Sequence, residues 1–121
     1  MTRVDRRRAQ RTGLLGEWVA AIYLTITLHR ILAWRMKTSV GEIDLIAQRG
    51  QTIVFVEVKV RRRRADEGMA LEAVNQHRIV RAARYFVSRN AYLADNPQRF
   101  DVIFLAPWSW PRHVKNAFEG D

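Results

Sequence analysis

The stretch Thr52-Ile53-Val54-Phe55-Val56-Glu57-Val58-Lys59-Val60-Arg61 decides the architecture. Its β-branched and aromatic residues alternate over ten positions and predict a strand, the most β-prone part of the chain. Side chains two apart share a face, so Val54, Val56, Val58 and Val60 form one unbroken apolar face, that of a core strand. The other face starts with Ile53 and Phe55 and ends with Glu57 and Lys59, side by side about 6.5–7 Å apart. Upstream, Glu42 to Ala47 predicts a partner strand, joined through a hairpin at Gln48 to Gln51 that contains Gly50. If the two strands pair through that hairpin, Asp44 comes near Glu57, although register is only loosely fixed by the period. Glu42 is left out of this site, as facing away from Asp44.

Further out, Ile31 to Lys37 predicts a first strand, with a turn at Val40-Gly41. A helix is expected from the arginines near Asp5, which would cap it, through Ile26; Gly13 and Gly16 weaken its first turns. Leu15, Trp18, Val19, Ile22 and Ile26 form one apolar stripe, and Ala20, Ala21 and Leu24 another beside Glu17. A helix apolar on two sides is expected to be packed on both, which would shelter Glu17. Downstream, a second helix is read over Ala70 to Leu93. Ile79, Ala82, Ala83 and Phe86 lie on its buried side, opposite Arg81 and Arg84, and Asp95-Asn96-Pro97 ends it. Phe100 to Leu105 is a fourth strand, Pro107 to Pro111 a loop, and His113 to Phe118 a short last strand. The expected fold class is α/β, with one mixed β-sheet in the order α-β-β-β-α-β, possibly with the further strand, flanked by helices. The second helix acts as crossover to a parallel strand.

Length and composition narrow the function. One domain over 1–121 is expected, with 48% apolar residues to fill a core and residues 1–12 as a basic arm or first helical turns. The net charge of +9 favours a polyanionic partner, nucleic acid before a membrane surface. With no cysteine, disulfides, thiolate metal sites and cysteine nucleophiles are excluded. The longest uncharged apolar run, Trp18 to Leu28, covers 11 residues, where a membrane span needs about 20. Glu17 and the lack of a small-x-small site argue against a cleaved signal, so a cytoplasmic location is expected.

Two carboxylates in a half-buried setting repel each other and need an offset, which a divalent cation or Lys59 would supply. Oxygen ligands suit Mg²⁺ or Mn²⁺, and a lysine beside the ion can position or deprotonate a water, which is the equipment of metal-assisted phosphodiester hydrolysis. The same Glu57/Lys59 spacing also describes an ordinary solvated ion pair on a strand.

Three blocks in order resemble the PD-(D/E)xK nuclease superfamily: Gly13-x-x-Gly16-Glu17-x-x-Ala20, Gly41-Glu42-Ile43-Asp44-Leu45-Ile46-Ala47, and Val54 to Arg61. Within it the chain most resembles the small bacterial YraN family, also catalogued as UPF0102, itself similar to archaeal Holliday junction resolvases. Arg99-Phe100-Asp101-Val102 and Asn116-Ala117-Phe118 fit the same pattern. The resemblance implies a restriction-endonuclease-like core with Asp44, Glu57 and Lys59 as catalytic residues. Asp44, Glu57 and the Val58 carbonyl would hold the metal, Lys59 would serve the water, and Glu17 would complete the acidic cluster. Related families often carry a Lys or Gln near the start of the second helix; here Gln76 is the stand-in.

Eighteen of the 21 basic residues are arginines, suited to bidentate phosphate contacts. Arg61, Arg62, Arg63 and Arg64 leave the strand directly after Lys59 and, with Arg78 and Arg81, are expected to grip a DNA backbone without reading its sequence. His29, His77 and His113 are scattered and read as core or surface residues. Trp108 and Trp110 could stack on unpaired bases, but covering a sheet edge is the reading preferred here. Asp101, on an apolar strand, is expected to pair with an arginine. The leading expectation is a DNA endonuclease acting on branched or processed DNA, for which a homodimer would suit symmetric junctions. The alternatives are a non-catalytic nucleic-acid-binding module on the same fold and an interaction protein docking through the first helix.

Overall fold

The computed structural model describes residues 3–61 and 74–120. Helix α1 spans Arg3–Ile26; strands β1 (Arg30–Thr38), β2 (Gly41–Arg49) and β3 (Thr52–Val60) follow; helix α2 spans Gln76–Arg89; and β4 (Gln98–Leu105) and β5 (Arg112–Phe118) close the chain. The five strands lie in the order β1-β2-β3-β4-β5 in one mixed sheet. β1, β2 and β3 form an antiparallel meander, β4 runs parallel to β3, and β5 returns antiparallel to β4. This is the expected α/β fold with the further strand present, consistent with a restriction-endonuclease-like core.

The two sheet faces carry separate cores. Val54 and Val56 of β3 pack with Leu45, Ala47, Ile103 and the Ala20, Ala21 and Leu24 side of α1. Ile53 and Phe55 pack with Ile46, Phe100 and Val102 under Ile79, Ala82 and Ala83 of α2. Glycine lets α1 approach closely: a Cβ on Gly16 would stand 2.8 Å from a Val60 methyl group. On the other face a Cβ on Gly41 would collide with the backbone carbonyl of Arg78, so the start of α2 lies directly on the start of β2.

Several expectations are corrected. Asp5 does not cap α1, which already runs from Arg3. The helix read from Ala70 begins at Gln76, because Asn75 caps it by accepting the Arg78 N–H at 3.2 Å. Positions 70–73 lie outside the described residues, and Ala91–Leu93 is a separate 3₁₀ turn. α1 is packed on one side only: Leu15 is 66%, Trp18 60% and Ile26 70% exposed, and the stripe they form faces solvent. Ala20, Ala21 and Leu24 are covered by the sheet, whereas the stripe stays exposed even where Trp18 meets Trp34 of β1, with ring centroids 5.0 Å apart. Trp108 and Trp110 cover no edge and stand in solvent. Among the described residues, no helix is long and apolar enough to cross a membrane.

Candidate active site

The hairpin joining β2 to β3 aligns Arg49 with Thr52 and continues in register to Leu45 opposite Val56. One step further sets Asp44 opposite Glu57. There the carboxylate replaces the backbone ladder, and the Val58 N–H donates to Asp44 Oδ2 at 2.7 Å. Lys59 Nζ lies 3.2 Å from Glu57 Oε1, with both side chains largely buried. Asp44, Glu57 and Lys59 are thus brought together as expected, and the pair is not the solvated one that spacing alone allows.

β2 is irregular at this point. Ile43 packs on the α2 face and Leu45 on the α1 face, although residues two apart in a regular strand share a face. β1 pairs Trp34 with Leu45 and Met36 with Ile43, which leaves Arg35 opposite Asp44, and Arg35 has φ +47°. Left-handed backbone at a side chain of this size is costly and concentrates at functional positions. The twist places Asp44 between the two faces, where its charge acts on Glu57 from one side and on Glu17 from the other.

Glu17 is buried, as its sheltered position on α1 requires, and its Oε2 lies 3.2 Å from Arg35 Nε. The approach is off the N–H direction, so this buried oxygen has no hydrogen-bond partner. Burial raises the Glu17 carboxyl above its ordinary range; Arg35 opposes this and Asp44 adds to it. Glu42 does not face away: it lines a shallow pocket with Asp44, Arg35 and Lys37. Arg35 escaped the sequence reading, and its only signal was a charge between Trp34 and Met36.

The electrostatics are those of an acidic pair only partly offset by Lys59 and the Val58 N–H. Burial, then the neighbouring Asp44, pushes the Glu57 carboxyl up to about 7 against the pull of Lys59. Burial also raises Asp44, opposed by the Val58 N–H and Lys59. Among the described residues, no three Asp, Glu, His or Cys side chains gather closely enough to hold a metal by themselves. Two facing carboxylates nevertheless fit a hard cation such as Mg²⁺, which keeps several waters and takes one or two carboxylates beside its substrate.

The raised Glu57 carboxyl makes metal-free stability depend on pH. The folded state holds this proton up to about 7, whereas the unfolded chain releases it near 4.5. Stability is therefore fully present at low pH and declines as pH rises through that window. In EDTA, Glu57→Gln should stabilise the protein at pH 8 by up to about 3 kcal/mol and change little at pH 4, as read by urea denaturation.

Of the residues expected to contact phosphate, Arg61, Gln76, Arg78 and Arg81 are among the described ones. Arg61 Nη1 donates to the Val60 carbonyl at 2.7 Å, while Arg62, Arg63 and Arg64 lie outside the described residues. Gln76 stands exposed at the first residue of α2, and Arg78 and Arg81 are exposed further along it.

A second buried polar cluster lies on the α1 face, toward the opposite end of the sheet. Arg99 donates twice to Asp101, at 2.8 Å to each oxygen, and the Asn116 N–H donates at 2.9 Å. His113 Nε2 also bonds Asp101, and its Nδ1 meets the Tyr23 hydroxyl at 3.2 Å. Arg99 Nη2 reaches His29 Nε2 at 3.3 Å. Asp101 thus pairs with an arginine as expected. The fold also brings His29 and His113 together, with ring centroids 5.9 Å apart, which their sequence positions did not indicate. Burial works to raise Asp101, but the bonds from His113, Arg99 and the Asn116 N–H outweigh it and hold the carboxyl below its ordinary range. Burial, with Arg99 beside it, lowers the His29 imidazole below its ordinary range. Every partner is internal, so the cluster ties α1, β4 and β5 together.

A family described as "Uncharacterised protein family UPF0102" matches residues 16–105, a stretch that takes in Glu17, Asp44, Glu57 and Lys59. A UPF0102 protein of Mesorhizobium japonicum is 47% identical over 116 residues, covering 96% of this chain and 93% of its own. A UPF0102 protein of Rhizobium leguminosarum bv. trifolii is 43% identical over 113 residues, 93% of each chain. Another, from Rhodopseudomonas palustris, is 47% identical over 114 residues, 94% of this chain and 88% of its own.

Proposed function

We propose, from the premise that this chain belongs to the UPF0102 family, that it is a Mg²⁺- or Mn²⁺-dependent endonuclease hydrolysing phosphodiester bonds in DNA. The observation that carries this reading is the pair Asp44 and Glu57, facing across one hairpin with Lys59 3.2 Å from Glu57, on a chain of net charge +9. A retired site has no evident reason to keep two mutually repelling carboxylates beside an arginine-rich surface.

Asp44, Glu57 and the Val58 carbonyl would hold the ion, with Glu17 reaching in from α1 directly or through a water. When bound, the ion acidifies a water and stabilises charge on a phosphodiester oxygen. Once its ammonium has lost a proton to solvent, Lys59 would orient the attacking water and take its proton as the water oxygen bonds phosphorus. The P–O bond to one sugar breaks, and the departing oxygen acquires a proton from solvent. Arg61 to Arg64, Arg78 and Arg81 hold the backbone by charge, so binding should weaken steeply with salt.

Labelled single-stranded, duplex and four-way-junction DNA tests the reading. Cleavage of at least one substrate is expected with Mg²⁺ or Mn²⁺, none in EDTA, and none by Asp44→Ala. Binding without cleavage of any substrate would leave a nucleic-acid-binding module and overturn the enzyme.

A further inference from the structure

The loop between β4 and β5 presents two tryptophans to solvent. Trp108 is fully exposed and Trp110 82% exposed, where tryptophan is on average a heavily buried residue. Neither ring stacks on another aromatic ring of the described residues. The loop is held in place: Pro107 and Pro111 bracket it, the Ser109 N–H bonds the Ala106 carbonyl at 3.3 Å, and Trp108 sits at φ +60°. Proline fixes φ on either side, so presenting the rings costs little further ordering. A left-handed φ on so large a side chain is unfavourable, and here it is retained at a ring that packs on none of the described residues.

The location is specific. β3 and β4 are parallel, with Lys59 beside Phe104 and Val60 beside Leu105, so both strands leave the sheet at the same end. The Arg61 N–H donates to the Leu105 carbonyl at 2.8 Å and fastens the two exits together. Trp108 lies three residues beyond Leu105, within about 11 Å of it along the chain. The loop carrying both rings therefore leaves the sheet at the end toward which Glu57 and Lys59 lie on β3, next to the β3 exit at Arg61.

We infer that Trp108 and Trp110 form a stacking platform for unpaired nucleobases, which engages single-stranded segments next to the phosphate held at Asp44 and Glu57. Exposed aromatic faces among cations suit single-stranded nucleic acid, because each base has a π-face and stacking on it tolerates any sequence. In a duplex those faces are already covered by neighbouring bases. The choice of ligand rests on the nuclease reading; the test does not use cleavage.

The full chain in EDTA at low salt is titrated with labelled oligo(dT) and with a duplex of equal length. Trp108→Ala and Trp110→Ala are expected to weaken oligo(dT) binding roughly tenfold each, with duplex binding changed less than twofold. Trp108→Phe should keep most of the affinity. Both rings lie outside the core, so the alanine variants should match the wild type in circular dichroism and melting. The platform is overturned if oligo(dT) affinity is unchanged, if it falls equally for single strand and duplex, or if the wild type does not bind oligo(dT). A fluorescence shift on anionic lipid vesicles with none on DNA would also overturn it. Intact stacking without metal-dependent cleavage on any substrate would sink the nuclease and keep the platform; cleavage without stacking would do the reverse.

Discussion

Lys59→Ala should bind DNA as the wild type does and cleave it 10²- to 10⁴-fold more slowly at saturating Mg²⁺, the range lost with a general base. Lys59 is placed for proton transfer by β3 itself: it shares a face with Glu57, its Nζ is 3.2 Å from that carboxylate, and its side chain is largely buried. Removing it also removes a charge that holds both Glu57 and Asp44 down, so the acidic pair becomes harder to ionise and metal binding should weaken. Lys59→Arg separates the two contributions. It restores the positive charge and with it metal affinity, but guanidinium does not give up its proton and so cannot serve as a base. Recovery of metal binding without recovery of rate is the expected outcome, measured by calorimetric Mn²⁺ titration beside single-turnover cleavage. Full recovery of rate would make Lys59 an electrostatic group only, and equal loss of DNA affinity in both variants would remove it from the chemistry.

Asp101→Asn should cost 3–5 kcal/mol of stability, the penalty for leaving a buried charge without its partner. The carboxylate is inaccessible and accepts from Arg99, His113 and the Asn116 N–H; an amide in its place leaves the Arg99 guanidinium uncompensated and offers a donor where only acceptors fit. Against a typical total of 5–15 kcal/mol, the loss would appear as a large fall in the urea midpoint. Arg99→Gln in the same chain should recover part of it. Because the Asp101 carboxyl lies below its ordinary value of 3.8, its contribution is present above that pH and lost as pH falls through the lower folded value. At a temperature where both proteins are folded, cleavage should be equal. A large loss of rate in a folded Asp101→Asn would contradict the structural role assigned to the cluster.

The legible parts of this molecule were the local ones. The valine alternation of β3 and the Gly50-bearing connection at Gln48 to Gln51 predict a core strand and a hairpin that can bring Asp44 near Glu57, while the register, with its turn between Arg49 and Thr52, is fixed only in the fold. Glu17 was readable as sheltered because it shares a helix side with Ala20, Ala21 and Leu24. Arg35 was not readable, since its left-handed backbone answers an irregularity shared by two strands rather than its own neighbours. His29 and His113 meet only after the crossover through α2 has brought β4 and β5 to the sheet. Periodicity likewise marked Leu15, Trp18 and Ile26 as apolar, but only the position of the helix on the sheet decides which of its apolar sides is covered.

The location of the acidic pair has a kinetic consequence. Asp44 and Glu57 lie on one hairpin, and hairpins close within roughly microseconds. The pairing of β3 with β4, which aligns Val56 with Asp101, must first close the long segment that includes α2. Such parallel, non-local pairing is the slow part of folding. The nascent chain therefore assembles two repelling carboxylates on the hairpin before β4 pairs with it. If the site takes a divalent cation as proposed, the ion present during folding should relieve that repulsion at the earliest stage and speed commitment to the native register.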